Sequence, residues 1–487
     1  MSLLTSSDWL PELTTSTQAF VRVAYAVLML GTLVRTLPQA RRFFLSERWG
    51  GYAQSSPAVD GVQNPWCLPL VLTVWLTSLT CLIVGVQTFA SSLVNLVLCH
   101  YFFIWMRWRG VLRGMGAPGF MSYWLAYTVF LLELTTHFAP RFRPLALLLT
   151  QVDFALIMLS AGLYKLTAGY ARNNGMEFGM VNPEWGYWAR FWRNWRPGHP
   201  LFHALNQSAW CFEVIAAVLM LFPQTRFLGA LIIMLSFVFI ATQIRLLLLT
   251  EMVIVAGLWF ASTGTYAQQM IDGASWAATT TEVTALPVAL EMTIGIALAC
   301  YLALLPLANA GLFWNFYTGK RLWPKLQYAL EVYTNAFSIS IWRVFSADHT
   351  NFYPLISRQR KNAGERVLIS HYAQIGGRFT HVGECITVTS LFTTLKYYPN
   401  NSDLFRDRLF RYARTLPRGS DEVLIFEYVS IRKTPDGFIE VPVAEFVVDL
   451  DANTLVETTL EQGADCLRMA APGSPVRPAS KPGTYAA

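Results

Sequence analysis

Charge is what this chain has least of. Only 14% of its 487 residues are Asp, Glu, Lys or Arg, against roughly 25% in an ordinary soluble domain. That is too little to cover the surface of a fully soluble enzyme of this length. Disorder is excluded by the same numbers, because 54% of the residues are hydrophobic and 14% aromatic, and such a chain buries surface. The deficit is uneven. Residues 1–319 hold 17 Lys+Arg and 13 Asp+Glu, whereas residues 320–487 hold 20 and 17 in about half the length. The first part therefore reads as membrane and the second as a soluble domain. Their net charges, +4 and +3, leave neither part with the concentrated basic surface of a nucleic-acid binder.

Familiar metal and phosphate motifs are missing too. There is no C-x-x-C, no H-E-x-x-H and no glycine-rich phosphate loop, so no metal site is expected. Five of the seven cysteines, Cys67, Cys81, Cys99, Cys211 and Cys300, sit in apolar runs and read as small hydrophobes. Cys385 and Cys466 lie in the polar part, where they could pair although nothing requires it. The N-terminus offers neither a cationic region nor a small-residue cleavage site, so the first apolar segment is expected to be retained.

What is present is a series of apolar segments near 17–37, 67–87, 90–106, 119–138, 145–166, 206–222, 227–249, 251–262 and 286–309. About 20 mostly apolar residues cross a bilayer. The segment 251–262 is short, so the expected count is eight or nine spans. The fold class is thus a polytopic α-helical membrane bundle followed by a soluble α+β domain. The boundaries read as 1–319 for the bundle, 320–345 for an interfacial linker helix, 346–469 for the soluble domain and 470–487 for a disordered tail. Strand-like runs at 366–373, 378–390, 422–431 and 439–448 surround one helical pattern at 403–416.

Cations set orientation. Arg41, Arg42 and Arg48 follow the first span, and Arg107, Arg109 and Arg113 the third. Arg172, Arg190, Arg193 and Arg196 follow the fifth, and Lys320, Arg321 and Lys325 the last. The opposite loops carry only Arg141, Arg143 and Arg226. This asymmetry puts the C-terminal domain in the cytoplasm, and a bacterial inner membrane is the expected location. In the loop 167–205, Trp185, Trp188, Trp192 and Trp195 fall within about 80° of one another on a helical wheel. They suit an interfacial helix, either as a plain aromatic anchor or as a lid at which Trp188 and Trp192 meet a substrate.

Ionisable residues at membrane depth are costly and face the bundle interior. The candidates are Arg22, Glu133, His137, Asp153, Lys165, Glu213, Arg245, Glu251 and Glu291. Lys165 stands apart as the one lysine in residues 1–319. Unlike arginine, a desolvated lysine can give up its proton and serve as a base. On the wheel it shares an apolar face with Phe154, Met158 and Ala161. The competing reading is a side chain that snorkels to the headgroups. Asp153, Ser160 and Tyr164 occupy a neighbouring face and either line the same pocket or cross-link helices. Glu133 and His137, four apart, are stacked on one helix face, as a proton relay or a simple intrahelical bond.

The stretch Ala161-Gly162-Leu163-Tyr164-Lys165-Leu166, with the aromatic and glycine-bearing loop behind it, resembles the vitamin K-dependent gamma-carboxylase-like membrane family, the HTTM domain. Trp342–Phe345 after the last span is similar to a W-x-x-F segment of that family. The resemblance implies a helical bundle, a β-rich soluble domain, and Lys165 as catalytic base; Tyr164 and His137 are the further catalytic candidates read from the residues. It also implies a reduced, vitamin K-like quinone as cofactor, and places the C-terminal domain on the exoplasmic side. The Asn-Asn-His stretch of the carboxylases is absent. At that place the chain reads Thr135-Thr136-His137-Phe138-Ala139-Pro140, which argues against carboxylation of peptide glutamate. The expected function is enzymatic handling of a quinone or lipid. A non-catalytic lipid-binding scaffold within a larger complex and a transporter are the alternatives. The expected partners are the bilayer and that quinone or lipid. No protein partner is implied.

Overall fold

Each of the nine apolar segments is helical. The computed structural model describes residues 9–105, 116–246, 248–274, 286–342, 350–361, 364–370, 382–398 and 400–460. The bundle helices are α1 (Thr15–Thr36), α2 (Cys67–Val84), α3 (Thr88–Cys99), α4 (Gly116–Phe138), α5 (Arg143–Thr167), α6 (Pro200–Met220), α7 (Arg226–Gln243), α8 (Leu249–Gly257) and α9 (Val288–Thr318). Among the described residues, five helical stretches are long and apolar enough to cross a membrane: those containing α1, α2, α5, α7 and α9. Two shorter apolar stretches, Thr88–Ile104 and Leu249–Phe260, pack with them.

Local chemistry explains several ends. The Thr14 side chain accepts a bond from the amide of Thr17 and caps α1. Pro200 occupies the first turn of α6, where its missing N–H costs nothing. Helix α6 is clasped between α5 and α7 by two glycines. A Cβ on Gly162 would lie 2.7 Å from Val214 Cγ2 and 2.9 Å from the Trp210 carbonyl. One on Gly229 would lie 2.5 Å from the Ala216 carbonyl. The bare backbone therefore sets the closeness of both crossings.

Helices α5 and α9 run parallel. Gly295 packs on Phe142 at one end, and the Tyr317 hydroxyl donates to the Leu163 carbonyl at the other. After α9 the chain turns back. Helix α10 (Pro324–Ala336) packs antiparallel along α9. Gln327 meets Asn315, Leu330 meets Gly311, and the Tyr333 hydroxyl reaches the Tyr301 carbonyl. Phe337 packs edge-on against Tyr301, with ring centroids 4.7 Å apart. Tyr301 is 17 residues before the end of α9, which is about 25 Å of helix. The segment expected as a linker therefore descends alongside the last span. Residues 338–342 then run without regular structure against α5.

The C-terminal domain is a five-stranded antiparallel sheet in the order β2-β1-β3-β4-β5. Its strands are β1 (Phe352–Arg360), β2 (Arg366–Leu368), β3 (Glu422–Lys433), β4 (Phe438–Asp449) and β5 (Thr454–Thr459). Phe426 sits at the centre of the sheet, paired with Ile356 on one side and Phe446 on the other. Two helices, α11 (Val382–Tyr397) and α12 (Ser402–Ala413), cover the sheet. Phe392 of α11 packs on Phe405, Phe426, Tyr428 and Phe446.

Helix α11 corrects the strand expected at 378–390. Its described part, from Val382 on, is helical. The β-branched run misleads, because buried Val388, Leu391 and Phe392 recur at helical spacing and share the face that meets the sheet. The interfacial helix expected over 185–196 is also corrected. Only Ala189–Arg193 is helical there. Gly186 bridges to Ile244, and the Arg245 amide bonds the Trp185 carbonyl, which ties the start of the stretch to the end of α7. Trp185 and Trp192 are consequently buried while Trp188 is exposed. The tail 470–487, Arg107, Arg109, Arg113, Cys466 and 343–345 of the Trp342–Phe345 segment lie outside the described residues, as does the side chain of Cys385.

Candidate functional site

Lys165 lies one turn from Gly162, where α5 and α6 approach closely, and its ammonium is ion-paired with Glu213 of α6. Both side chains are 4% exposed. The lysine therefore does not snorkel. The other carboxylate oxygen of Glu213, Oε2, is buried and has no hydrogen-bond partner among the described residues. Neighbouring Phe212 and Ile215 on α6 are exposed on the apolar outside of the bundle. The pair thus sits one helix layer beneath this exposed apolar surface. Tyr164, the neighbour of Lys165, packs instead on Phe316 of α9, with ring centroids 5.8 Å apart.

A second polar chain continues from this pair towards the soluble domain. Buried Tyr170 lies in the electrostatic reach of Glu213 and Glu177. Its burial first, then those two charges, hold its phenol well above the ordinary value. Glu177 accepts from the Asn206 amide and is ion-paired with Lys433 of β3. The Asn182 amide donates to the carbonyls of Thr350 and Phe352, at 2.8 and 2.9 Å. Arg193 pairs with Glu440. Arg42 Nε donates to Thr415 Oγ1, and the guanidinium lies over the Tyr412 ring. The arginine-bearing loops after α1 and α5 therefore share one face of the bundle with the C-terminal domain.

Asp153 and Ser160 face away from Lys165, towards the returning segment 338–342. The Ser160 hydroxyl accepts the amide of Trp342 at 3.1 Å. Trp342 is buried and stacks on Phe237, with ring centroids 6.2 Å apart. Asp153 Oδ2 accepts the indole N–H of Trp124 at 2.9 Å. Asp153 also lines a small cavity of about 10 Å³, with Asn309, Ser338 and Ser340 as the other polar lining residues. The sequence grouping of Asp153, Ser160 and Tyr164 with Lys165 thus divides among three helix contacts.

Glu133 is the hub of a third cluster. It pairs with Arg22, bonds Gln18 and Thr88, and lies 3.6 Å from His137 Nε2. His137 also contacts the Thr88 hydroxyl at 3.1 Å. The expected stacking of Glu133 and His137 is present, within a network tying α1, α3 and α4 together. Elsewhere Arg141 pairs with Glu291, and Arg245 donates to the Pro183 carbonyl. Trp192 donates to Gln243, and Trp188 to the Thr242 carbonyl. Both tryptophans are thereby pinned to the end of α7, away from Lys165.

Among the described residues, no group of three or more His, Cys, Asp or Glu side chains could hold a metal ion. Sequence reasoning named Glu213 but not its partnership with Lys165. It missed Asn309, Ser338 and the Glu177–Lys433 pair. No family model, curated protein or solved structure matches the chain.

Proposed function

We propose that this chain, crossing a bacterial inner membrane eight or nine times, is a carboxylase-like membrane protein acting on a hydrophobic substrate at Lys165 and Glu213. A single observation carries the reading: the Lys165–Glu213 pair is buried, yet Glu213 Oε2 has no partner. Buried ion pairs add little net stability. An unsatisfied carboxylate oxygen beside one is a cost that a hydroxyl-bearing ligand would remove. A quinol or a lipid with a free hydroxyl has that chemistry. Its apolar body would approach from the bilayer across the exposed Phe212 and Ile215 face.

A reduced quinone, where bound, supplies an acidic O–H, and the residues present fit such a donor. The chain's own part is proton handling. With its proton passed to Glu213, Lys165 is a neutral amine that can take the substrate's hydroxyl proton, and Glu213 then gives its proton to the product, which restores the ion pair. Arginine at 165 would hold its proton and could not do this. Tyr164 and His137 are not placed to share the step, because one faces α9 and the other belongs to the Glu133 cluster.

Photolabelling tests the reading. Full-length protein in nanodiscs is irradiated with a photoreactive quinol and, separately, a photoreactive diacylglycerol. Labelling of the α6 peptide around Glu213 is expected with one of them, with sharp loss in Glu213→Leu. Equal labelling of wild type and variant by both probes would refute it. Transport is a second reading, favoured by the irregular backbone of 338–342 beside Asp153.

A further inference from the structure

Asp153 is a carboxylate without a cation. It is 5% exposed, its one protein donor is Trp124, and among the described residues no ammonium, guanidinium or imidazole pairs with it. Glu133 and Glu213 each have a cationic partner. An isolated buried carboxylate is too costly to leave uncompensated; it pairs, binds a metal ion or takes a proton.

The surroundings of Asp153 supply oxygen. Asn309 of α9 is among the residues that line the cavity. Its amide nitrogen is committed to the Leu305 carbonyl, which leaves the amide oxygen as an acceptor. Ser338 is 1% exposed, lines the same cavity, and its hydroxyl has no hydrogen-bond partner among the described residues. Residues 337–340 leave helix α10 here, and Ser338 has φ of +55°. A serine in the left-handed region is held there at a cost. The unwound turn also frees carbonyl groups that a continuing helix would have used. The phenols of Tyr123, Tyr127, Tyr301 and Tyr333 also lie within electrostatic reach of Asp153.

We infer that the Asp153–Asn309–Ser338 cavity is a sodium-binding site formed where the returning segment unwinds against α5 and α9. The charge balances, since one carboxylate meets one monovalent cation. The size fits, since about 10 Å³ is room for one water-sized particle. Calcium would want six to eight oxygens and magnesium retained waters, for which one carboxylate and this volume do not suffice. Unwound backbone beside a carboxylate at membrane depth is the setting in which a sodium ion replaces its water with protein oxygens. The ion would tie α5 and α9 to the segment that leads into the C-terminal domain. The site is independent of Lys165, which faces α6.

The test is equilibrium binding of radioactive sodium to the full-length protein in nanodiscs, with potassium and choline as competitors at constant ionic strength. Saturable binding of one sodium per chain is expected, unaffected by choline and weakly by potassium. Asp153→Asn should abolish it. Ser338→Ala and Asn309→Ala should weaken it by about 10- to 100-fold. Ser338→Ala decides the matter if Asp153→Asn does not fold, because the Ser338 hydroxyl has no partner whose loss would destabilise the protein. Lys165→Arg should bind sodium as the wild type does, which separates this site from the one proposed above. Absence of saturable binding, or binding unchanged in Ser338→Ala, would overturn the inference and leave a protonated Asp153 beside a water molecule.

Discussion

Removing Lys165 should cost stability in a way that identifies what the Glu213 pair is for. Both side chains are 4% exposed, so solvent screens the charges little. In Lys165→Met, Glu213 would lose its one partner, and Oε2 already has none. One newly unsatisfied carboxylate oxygen costs about 1–3 kcal/mol, and the charge left uncompensated brings the loss to the roughly 3–5 kcal/mol measured when a buried pair is broken from one side. Glu213→Leu should cost a similar amount. The double variant Lys165→Met/Glu213→Leu should recover most of the loss and end near wild type, because an apolar pair of similar volume is neutral or better at such sites. The coupling is read from reversible unfolding of all four proteins in mixed micelles. Lys165→Arg belongs in the same series. It keeps the pair's charge and should fold, yet it cannot act as a base. Single variants that each cost under about 1 kcal/mol would show a solvated pair and refute the reasoning.

Other outcomes follow from the contacts between bundle and sheet. Lys433→Met leaves Glu177 buried without its cation and should cost about 3–5 kcal/mol. Hydrogen exchange in 422–433 reports it, and unchanged protection would mean the domain docks without that pair. Brominated lipids should quench a protein retaining only Trp188, which is 58% exposed, and not one retaining only Trp192, at 8%; the reverse order would misplace the 185–196 stretch. The bond from Lys361 holds the Asp449 carboxyl below its usual value, and Asp449 in turn raises Lys361. The carboxylate's contribution is complete above an ordinary Asp value of about 4 and the ammonium's below about 10. Each is lost beyond its own shifted folded value. Asp449→Asn should therefore loosen the β4–β5 hairpin at pH 6, the difference from wild type shrinking as the pH falls through the lowered Asp449 value, and a difference that does not shrink under acid would be non-electrostatic. The cytoplasmic placement proposed from the arginine asymmetry predicts that cysteines at Thr434 and Asp451 are labelled only after the membrane is breached, and labelling of intact spheroplasts would refute it.

Helices were legible wherever apolar length alone decides the structure. The nine apolar stretches are helical, and among the described residues five of them belong to helices long and apolar enough to cross a membrane, where no backbone group can go unpaired. Tertiary context decided the rest. The 382–397 stretch carries strand-forming residues, yet it folds as α11 because the face holding Val388, Leu391 and Phe392 is buried on the sheet. Tryptophan spacing over 185–196 suggested one helix, but the Ile244–Arg245 strand-like contact holds Trp185 and Gly186 out of it. Strand β1 hid behind Pro354 and the polar end Arg358–Arg360, and only pairing with β3 reveals it. Lys165 was legible because it is rare. Its partner could not be chosen from the five acidic candidates, because a helix crossing selects it.

The α5 helix shows why charge at membrane depth has to be read in pairs. Lys165 and Asp153 are twelve residues apart, a little over three turns, and a sequence reader is tempted to pair them. The close packing at Gly162 turns Lys165 towards α6 and Glu213. Trp124 and the returning segment claim Asp153 on another side. Each carboxylate then faces a different problem: Glu213 has a cation and a spare oxygen, whereas Asp153 has oxygens around it and no cation. The first arrangement suits a neutral hydroxyl donor and the second a positive ion. A lipid-soluble substrate would reach the first site through the bilayer face of α6. An ion at the second would fix the hairpin on which the C-terminal domain hangs. Both demands arise on one helix because its two polar faces meet different neighbours.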